Sequence, residues 1–187
     1  MRHLFLASAA ALTLAGCSAN ERFYTVPDVS AEALAPASIR YGSVEVVEVS
    51  LPDYAERQQI ARREGDGAVA AAKDVLWADL PARGMSLELA RHLGRISGAQ
   101  VASEPWPFND RAQARLEVRV EQMLAEADGS FRLSGQYFVA PDLGGRGRSG
   151  LFDITVPVAG PGPSQIAAAR AQAVAELAGQ IAREGLR

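Results

Sequence analysis

Between Arg115 and Val139 the chain alternates strictly enough to dictate its own folding. Leu116, Val118, Val120 and Leu124 fall on one side of an extended strand, and Glu117, Arg119 and Glu121 fall on the other. Asp128-Gly129 follows, a strong hairpin signal because glycine accepts the positive φ of a tight reversal. Phe131, Leu133, Tyr137 and Val139 return the apolar side along the second strand. Two strands joined this way are antiparallel, and their apolar face must be covered. Leu151–Val158 adds another strand, with Phe152, Ile154, Val156 and Val158 in phase.

The cover comes from two amphipathic segments. Ser86 is placed to cap a helix running to Ile96, in which Leu89, Leu93 and Ile96 form one stripe, and Gly98 stops it. Gly160-Pro161-Gly162-Pro163 breaks the chain, Ser164 is the expected cap of a long final helix, and Val174, Leu177 and Ile181 carry its stripe. Upstream, 23–26 reads as a short strand and 28–38 as an Ala/Pro-rich loop. The segment 41–51 is a strong strand whose apolar phase slips by one residue at Val47, as at a β-bulge. Gly65-Asp66-Gly67 turns the chain. Residues 68–80 favour helix by their alanines and strand by the alternation of Val75 and Trp77; Pro81 at the end favours strand in the C-terminal part. Val101–Trp106 reads as an edge strand. The fold class expected is α+β: a mainly antiparallel or mixed sheet with two helices packed on one face.

The amino terminus has a different logic. Arg2, an apolar run from Leu4 to Leu14 and small residues before a cleavage point make a secretory signal, too short for a spanning helix. It ends Leu14-Ala15-Gly16-Cys17, which resembles the lipobox of bacterial lipoproteins. The expected product starts at a diacylated Cys17, with residues 1–16 removed, 17–22 as a lipidated tether and 23–187 as one domain. In Gram-negative lipoproteins Asp after the cysteine resembles an inner-membrane retention signal. Ser18 there points to the inner leaflet of the outer membrane, periplasmic side.

Cys17 is the only cysteine, and losing His3 leaves His92 as the only histidine of the mature chain. No disulfide, Cys/His zinc cluster or cysteine nucleophile can then be built. No run resembles a calcium loop, and the expected cofactor is none beyond the covalent lipid. A net charge of −3 with no basic patch argues against nucleic acid. Gly145-x-Gly147-x-x-Gly150 spells a dinucleotide fingerprint but precedes a strand, where the motif needs a following helix. Arg146 and Arg148 in that loop meet either solvent, lipid phosphates or a partner's carboxylates. His92 with a serine and a carboxylate would suit a hydrolase, yet no Gly-x-Ser-x-Gly is present.

The segment Val44-Glu45-Val46-Val47-Glu48-Val49-Ser50-Leu51-Pro52-Asp53-Tyr54, continuing through Arg57-Gln58-Gln59-Ile60 to Arg63, resembles the signature of the PqiC-like family, the ABC-type transport auxiliary lipoproteins. Ala55, Gln58, Ala61 and Arg62 replace the family's usual Leu, Pro, Val and Thr. Leu76-Trp77-Ala78-Asp79-Leu80 matches a second landmark in part, and Pro105-Trp106-Pro107 before the hairpin fits. The resemblance implies a non-enzymatic role in intermembrane lipid transport that supports membrane integrity. The chain would dock an MCE-domain protein that forms a periplasmic channel. It implies a homo-oligomer too, with a ring suiting a ring-shaped channel.

Within that segment Pro52, Tyr54, Arg57, Gln59 and Arg63, with Trp77, form the candidate partner or oligomer interface, since Tyr and Arg are enriched where binding energy concentrates. The competing reading packs Tyr54 in the core and pairs the arginines with Glu56, Glu64 or Asp66. Trp77 and Trp106 read as core or subunit-interface anchors. Six residues from Cys17 to Phe23 reach roughly 20 Å at full extension, so the domain stays close to its membrane. That distance also weighs against the alternative of a lipoprotein activator of a cell-wall enzyme, which needs a long leash.

Overall fold

The computed structural model describes residues 20–187. The 1–16 leader, Cys17 and Ser18 lie outside the described residues. In chain order the strands are β1 (Arg22–Tyr24), β2 (Ser43–Val46), β3 (Gln59–Arg63), β4 (Val69–Trp77), β5 (Gln100–Ser103), β6 (Ala114–Ala125), β7 (Ser130–Pro141) and β8 (Arg148–Pro157). The helices are α1 (Asp53–Glu56), α2 (Pro81–Ser97) and α3 (Pro163–Gln180). The α+β class stands, with a mixed sheet of eight strands.

β6 is the strand on which the sheet is assembled. One of its edges takes β7 antiparallel along its whole length, and β8 continues outward from β7. The other edge is shared. β2 runs parallel to its start, Ser50 bridges to Arg119 in its middle, and Arg62 of β3 meets Ala125 at its end. β4 and then β1 extend the sheet beyond β3, and β5 extends it beyond β2. The Asp128-Gly129 turn closes as expected: Gly129 takes φ 84°, and Asp128 Oδ1 accepts from the Ser130 N–H (3.0 Å) and hydroxyl (2.7 Å).

The two long helices pack against each other and over the apolar face that Leu116, Val118, Leu133, Tyr137 and Phe152 present. Leu89, Leu93 and Ile96 of α2 and Val174 and Leu177 of α3, followed by Ile181, are buried in one continuous core. Gly98, at φ 69°, ends α2.

Four local expectations change. Ser86 is not a cap: α2 begins at Pro81, whose fixed φ suits a first helical position. Ser86 Oγ instead donates to the Ala82 carbonyl (2.8 Å) and accepts the Val49 N–H (2.9 Å), tying α2 to the chain leaving β2. Ser164 is likewise not a cap, since Gly162 holds that position and Pro163 starts α3. The whole of 69–77 is strand, its alanines overruled by pairing with β3. Last, Val120 faces Gly135 while Gln122 faces Ser134, so Glu121 is an extra residue in β6. That bulge puts Met123 and Ala125 on the core face and turns Leu124 away; Leu124 is buried outside the main core. The phase slip at Val47 is real too. β2 ends at Val46, and Val49 and Leu51 re-enter the core one residue out of step.

Candidate docking face

Between Ser50 and Arg62 the chain departs from the edge of β6 and comes back to it. Pro52, extended at φ −69° and ψ 150°, leads into the single turn of α1, and Arg57, extended again, leads into β3. This excursion holds most of the candidate interface residues, and three contacts fasten it. The Tyr54 hydroxyl accepts the Met123 N–H (3.1 Å), a donor in the stretch of β6 that neither Ser50 nor Arg62 pairs. The phenol thus fills a vacancy in the ladder, where an unpaired backbone group would be costly. Its burial holds the phenol above its ordinary pKa, with the Met123 N–H pulling the other way. The Trp77 N–H donates to the Gln58 carbonyl (2.7 Å). Arg63 Nε donates to Glu126 Oε2 (2.8 Å), and its Nη1 donates to the Gly67 carbonyl (3.2 Å).

The competing core-packing reading holds in part. Tyr54 is half-buried against the core, but Arg63 pairs with Glu126 on the neighbouring strand, not with Glu56, Glu64 or Asp66. Pro52 and Gln59 are partly exposed. Arg57 is exposed, and among the described residues its guanidinium has no ion-pair partner. Trp77 is only 5% exposed, so it supports this face from beneath. Trp106 stands in the loop after β5, its indole N–H on the Asp110 carbonyl (2.6 Å) and its ring edge-on to Phe108.

What holds Trp77 was not anticipated. The Arg170 guanidinium lies 5.0 Å from the centre of its ring, and Arg170 Nη1 pairs with Glu88 Oε1 at 3.1 Å. Arg170 is 2% exposed, and neither Arg170 Nε nor Glu88 Oε2 has a partner among the described residues. Burial raises the Glu88 carboxyl above its usual range despite the guanidinium, and lowers Arg170 despite the carboxylate. The signal was readable. Arg170 sits one turn before Val174 on the apolar stripe of α3, where a lone charge calls for a buried partner.

His92 is 1% exposed, and burial, with Arg91 adding to it, pushes its imidazole down to about 4. No serine or carboxylate hydrogen-bonds it among the described residues. Gly147 leads into β8 and Gly150 lies within it, where the fingerprint needs a helix, and Arg148 Nη1 donates to the Glu184 carbonyl (3.1 Å). Among the described residues no helix is long and apolar enough to cross a membrane, and no three His, Cys, Asp or Glu side chains gather as metal ligands.

A family model described as the ABC-type transport auxiliary lipoprotein component matches residues 24–182. The intermembrane transport lipoprotein PqiC of Escherichia coli K12 is 30% identical over 139 residues, 72% of this chain and 73% of that protein. PqiC of Shigella flexneri matches to the same extent. Two crystal structures share the fold. One, of an uncharacterized protein, has a TM-score of 0.69 at 18% identity and covers 86% of this chain and 97% of that one. The other, of a Xanthomonas campestris protein, has a TM-score of 0.67 at 15% identity and covers 86% and 92%.

Proposed function

This chain belongs to the ABC-type transport auxiliary lipoproteins, and we propose that it anchors one end of an intermembrane lipid transporter at the outer membrane. Residues 1–16 are the leader, Cys17 carries the lipid, Ser18 directs the product outward, and 17–22 tether the single domain 23–187. Several acyl chains, each gaining about 0.8 kcal/mol per buried CH₂, make the attachment effectively permanent. The domain is a fixed dock on the periplasmic face, and an MCE-domain channel comes to it.

The docking surface is the Ser50–Arg62 excursion. The observation that carries it is a contrast in and around that segment: Tyr54 is engaged by β6, Arg63 by Glu126 just past it, Trp77 is sealed beneath, and Arg57 is exposed with no ion-pair partner among the described residues. A segment already fastened by hydrogen bonds loses less entropy on binding than an unfastened one. Several copies arranged as a ring would repeat this surface around a channel mouth.

In-cell photo-crosslinking tests this. A photoreactive side chain at Arg57 of the full-length lipoprotein should capture an MCE-domain protein, and one at Leu151, 73% exposed on β8, should not. Recovery of a peptidoglycan synthase instead would favour the cell-wall alternative. Capture of the same proteins from both positions would overturn the assignment of the surface.

A further inference from the structure

Next to the excursion, two adjoining hollows lie between the β3–β4 hairpin and the start of α3. Their volumes are about 530 and about 330 Å³, and Arg62, Glu64, Pro161 and Ile166 border both. The floor is apolar, set by Ile60, Ala70, Val75 and Ile166. Pro161 and Pro163, each with a fixed φ, form part of one wall. The rim is charged. Arg62 is exposed, and among the described residues its guanidinium has no ion-pair partner; Glu64 stands two residues along on the same strand edge.

Chain direction says what this groove faces. β1 runs parallel to β4 with Arg22 opposite Val75, so the residues before Arg22 arrive from the side of Asp74 and the hairpin. Val75 is itself a groove residue, and neighbouring strands lie about 4.8 Å apart. The five residues from Cys17 to Glu21 span at most roughly 17 Å. The described start of the chain and the groove therefore share one side of the molecule, within that reach of Cys17.

We infer that this groove binds a membrane glycerophospholipid with a zwitterionic headgroup: an acyl chain lies on the apolar floor, Arg62 takes the phosphate and Glu64 the ammonium. An apolar trough whose rim carries the neutralised pair Arg63–Glu126 and, beside it, Glu64 and an Arg62 without an ion-pair partner among the described residues matches that ligand in shape and in charge order. The bound lipid adds a second, non-covalent attachment beside Cys17 and orients the docking face. The inference rests on the anchoring of Cys17 proposed above for where the lipid is met.

The test uses the full-length acylated protein in cells, with a photoreactive side chain at Ala72, an exposed residue of the groove. After irradiation the purified protein is weighed intact. Adducts with the mass of a zwitterionic phospholipid are expected at Ala72 and not at Leu151. They should fall about tenfold with Arg62→Ala, which removes the charge-assisted contact. Ala70→Trp, which fills the floor, should abolish them. Adducts in bulk-membrane proportions that neither substitution changes would overturn the inference, as would adducts only to protein. The Arg57 probe in the same cells keeps the two readings apart. Partner capture there without lipid at Ala72 ends only this inference, and the reverse ends only the docking proposal.

Discussion

Strands β6, β7 and β8 run 12, 12 and 10 residues and pair almost without interruption, whereas β1 and β3 run 3 and 5. The meander buries one face completely beneath α3 and α2. The flank of β1, β3 and β4 carries small, half-exposed residues, a register break between Gln59 and Ala61, and exposed arginines at 57 and 62. Stability and surface chemistry are thus held by different parts of one sheet. The meander supplies a stiff frame, and the flank can present charge because little of the core depends on it. Arg170 joins the two: it reaches from α3 to Trp77 at the end of β4 and is neutralised by Glu88 of α2.

Breaking that joint should have the largest effect. Arg170→Ala leaves the Glu88 carboxylate buried without its partner and is expected to cost about 3–5 kcal/mol in chemical denaturation. Adding Glu88→Gln should recover part of the loss, since the amide needs no counter-charge. A cost below about 1 kcal/mol for Arg170→Ala would mean that the flank is held without this pair.

Within the meander, a Cβ at Gly135 would lie 2.1 Å from the Arg119 carbonyl oxygen, beside the bulge. Gly135→Ala should destabilise by about 3 kcal/mol because backbone must move. Ala71→Ser on exposed β4 should stay within about 0.5 kcal/mol. Equal costs at the two positions would erase the contrast between frame and flank.

Acid should weaken the frame through His92. Its imidazole stays neutral in the fold down to about 4, while the unfolded chain takes up a proton below the ordinary 6.5. The unfolded state then binds more protons, so stability is complete above about pH 6.5 and declines as pH falls towards 4. Denaturation at pH 7 and pH 5 should differ by about 2 kcal/mol, and His92→Gln should flatten that slope. Asp28, which faces His92 together with Arg91 and Arg95, is held below the usual carboxylate range by Arg95 and stays charged across this window.

The smallest effect on stability is expected where the largest effect on binding is. Arg57→Glu should shift stability by no more than about 0.5 kcal/mol, yet remove co-purification of an MCE-domain protein with the full-length lipoprotein. A large loss of stability would show that Arg57 belongs to the frame.

The two regions also differed in how well they could be read. The meander was legible because alternation is local: a period of two names the buried face of each strand, and Asp128-Gly129 names the turn. The bulge at Glu121 broke that reading for Leu124, since an added residue shows only in the register of the partner strand. In the flank, alanines carry no face preference, so the pattern predicts strand only in the C-terminal part of β4. Ser86 and Ser164 misled because a serine near a helix start resembles a cap, while Pro81 and Pro163 fit the first helical position better. The candidate interface is proposed from a segment, and burial sorts its members into fastened, sealed and exposed.

By itself the sequence determined the α+β class, the central hairpin, the faces of the two helices and, through the 51–63 motif, the family. Those follow from near neighbours along the chain, whose spacing sets which side chains point together. Tertiary structure alone decided that Tyr54 completes the ladder of β6, that Arg170 and Glu88 meet beneath Trp77, and that Arg62 borders an apolar groove. Each of these joins residues 69, 82 or about 100 positions apart, and only the path of the sheet and the packing of α2 on α3 bring them within hydrogen-bonding or van der Waals reach.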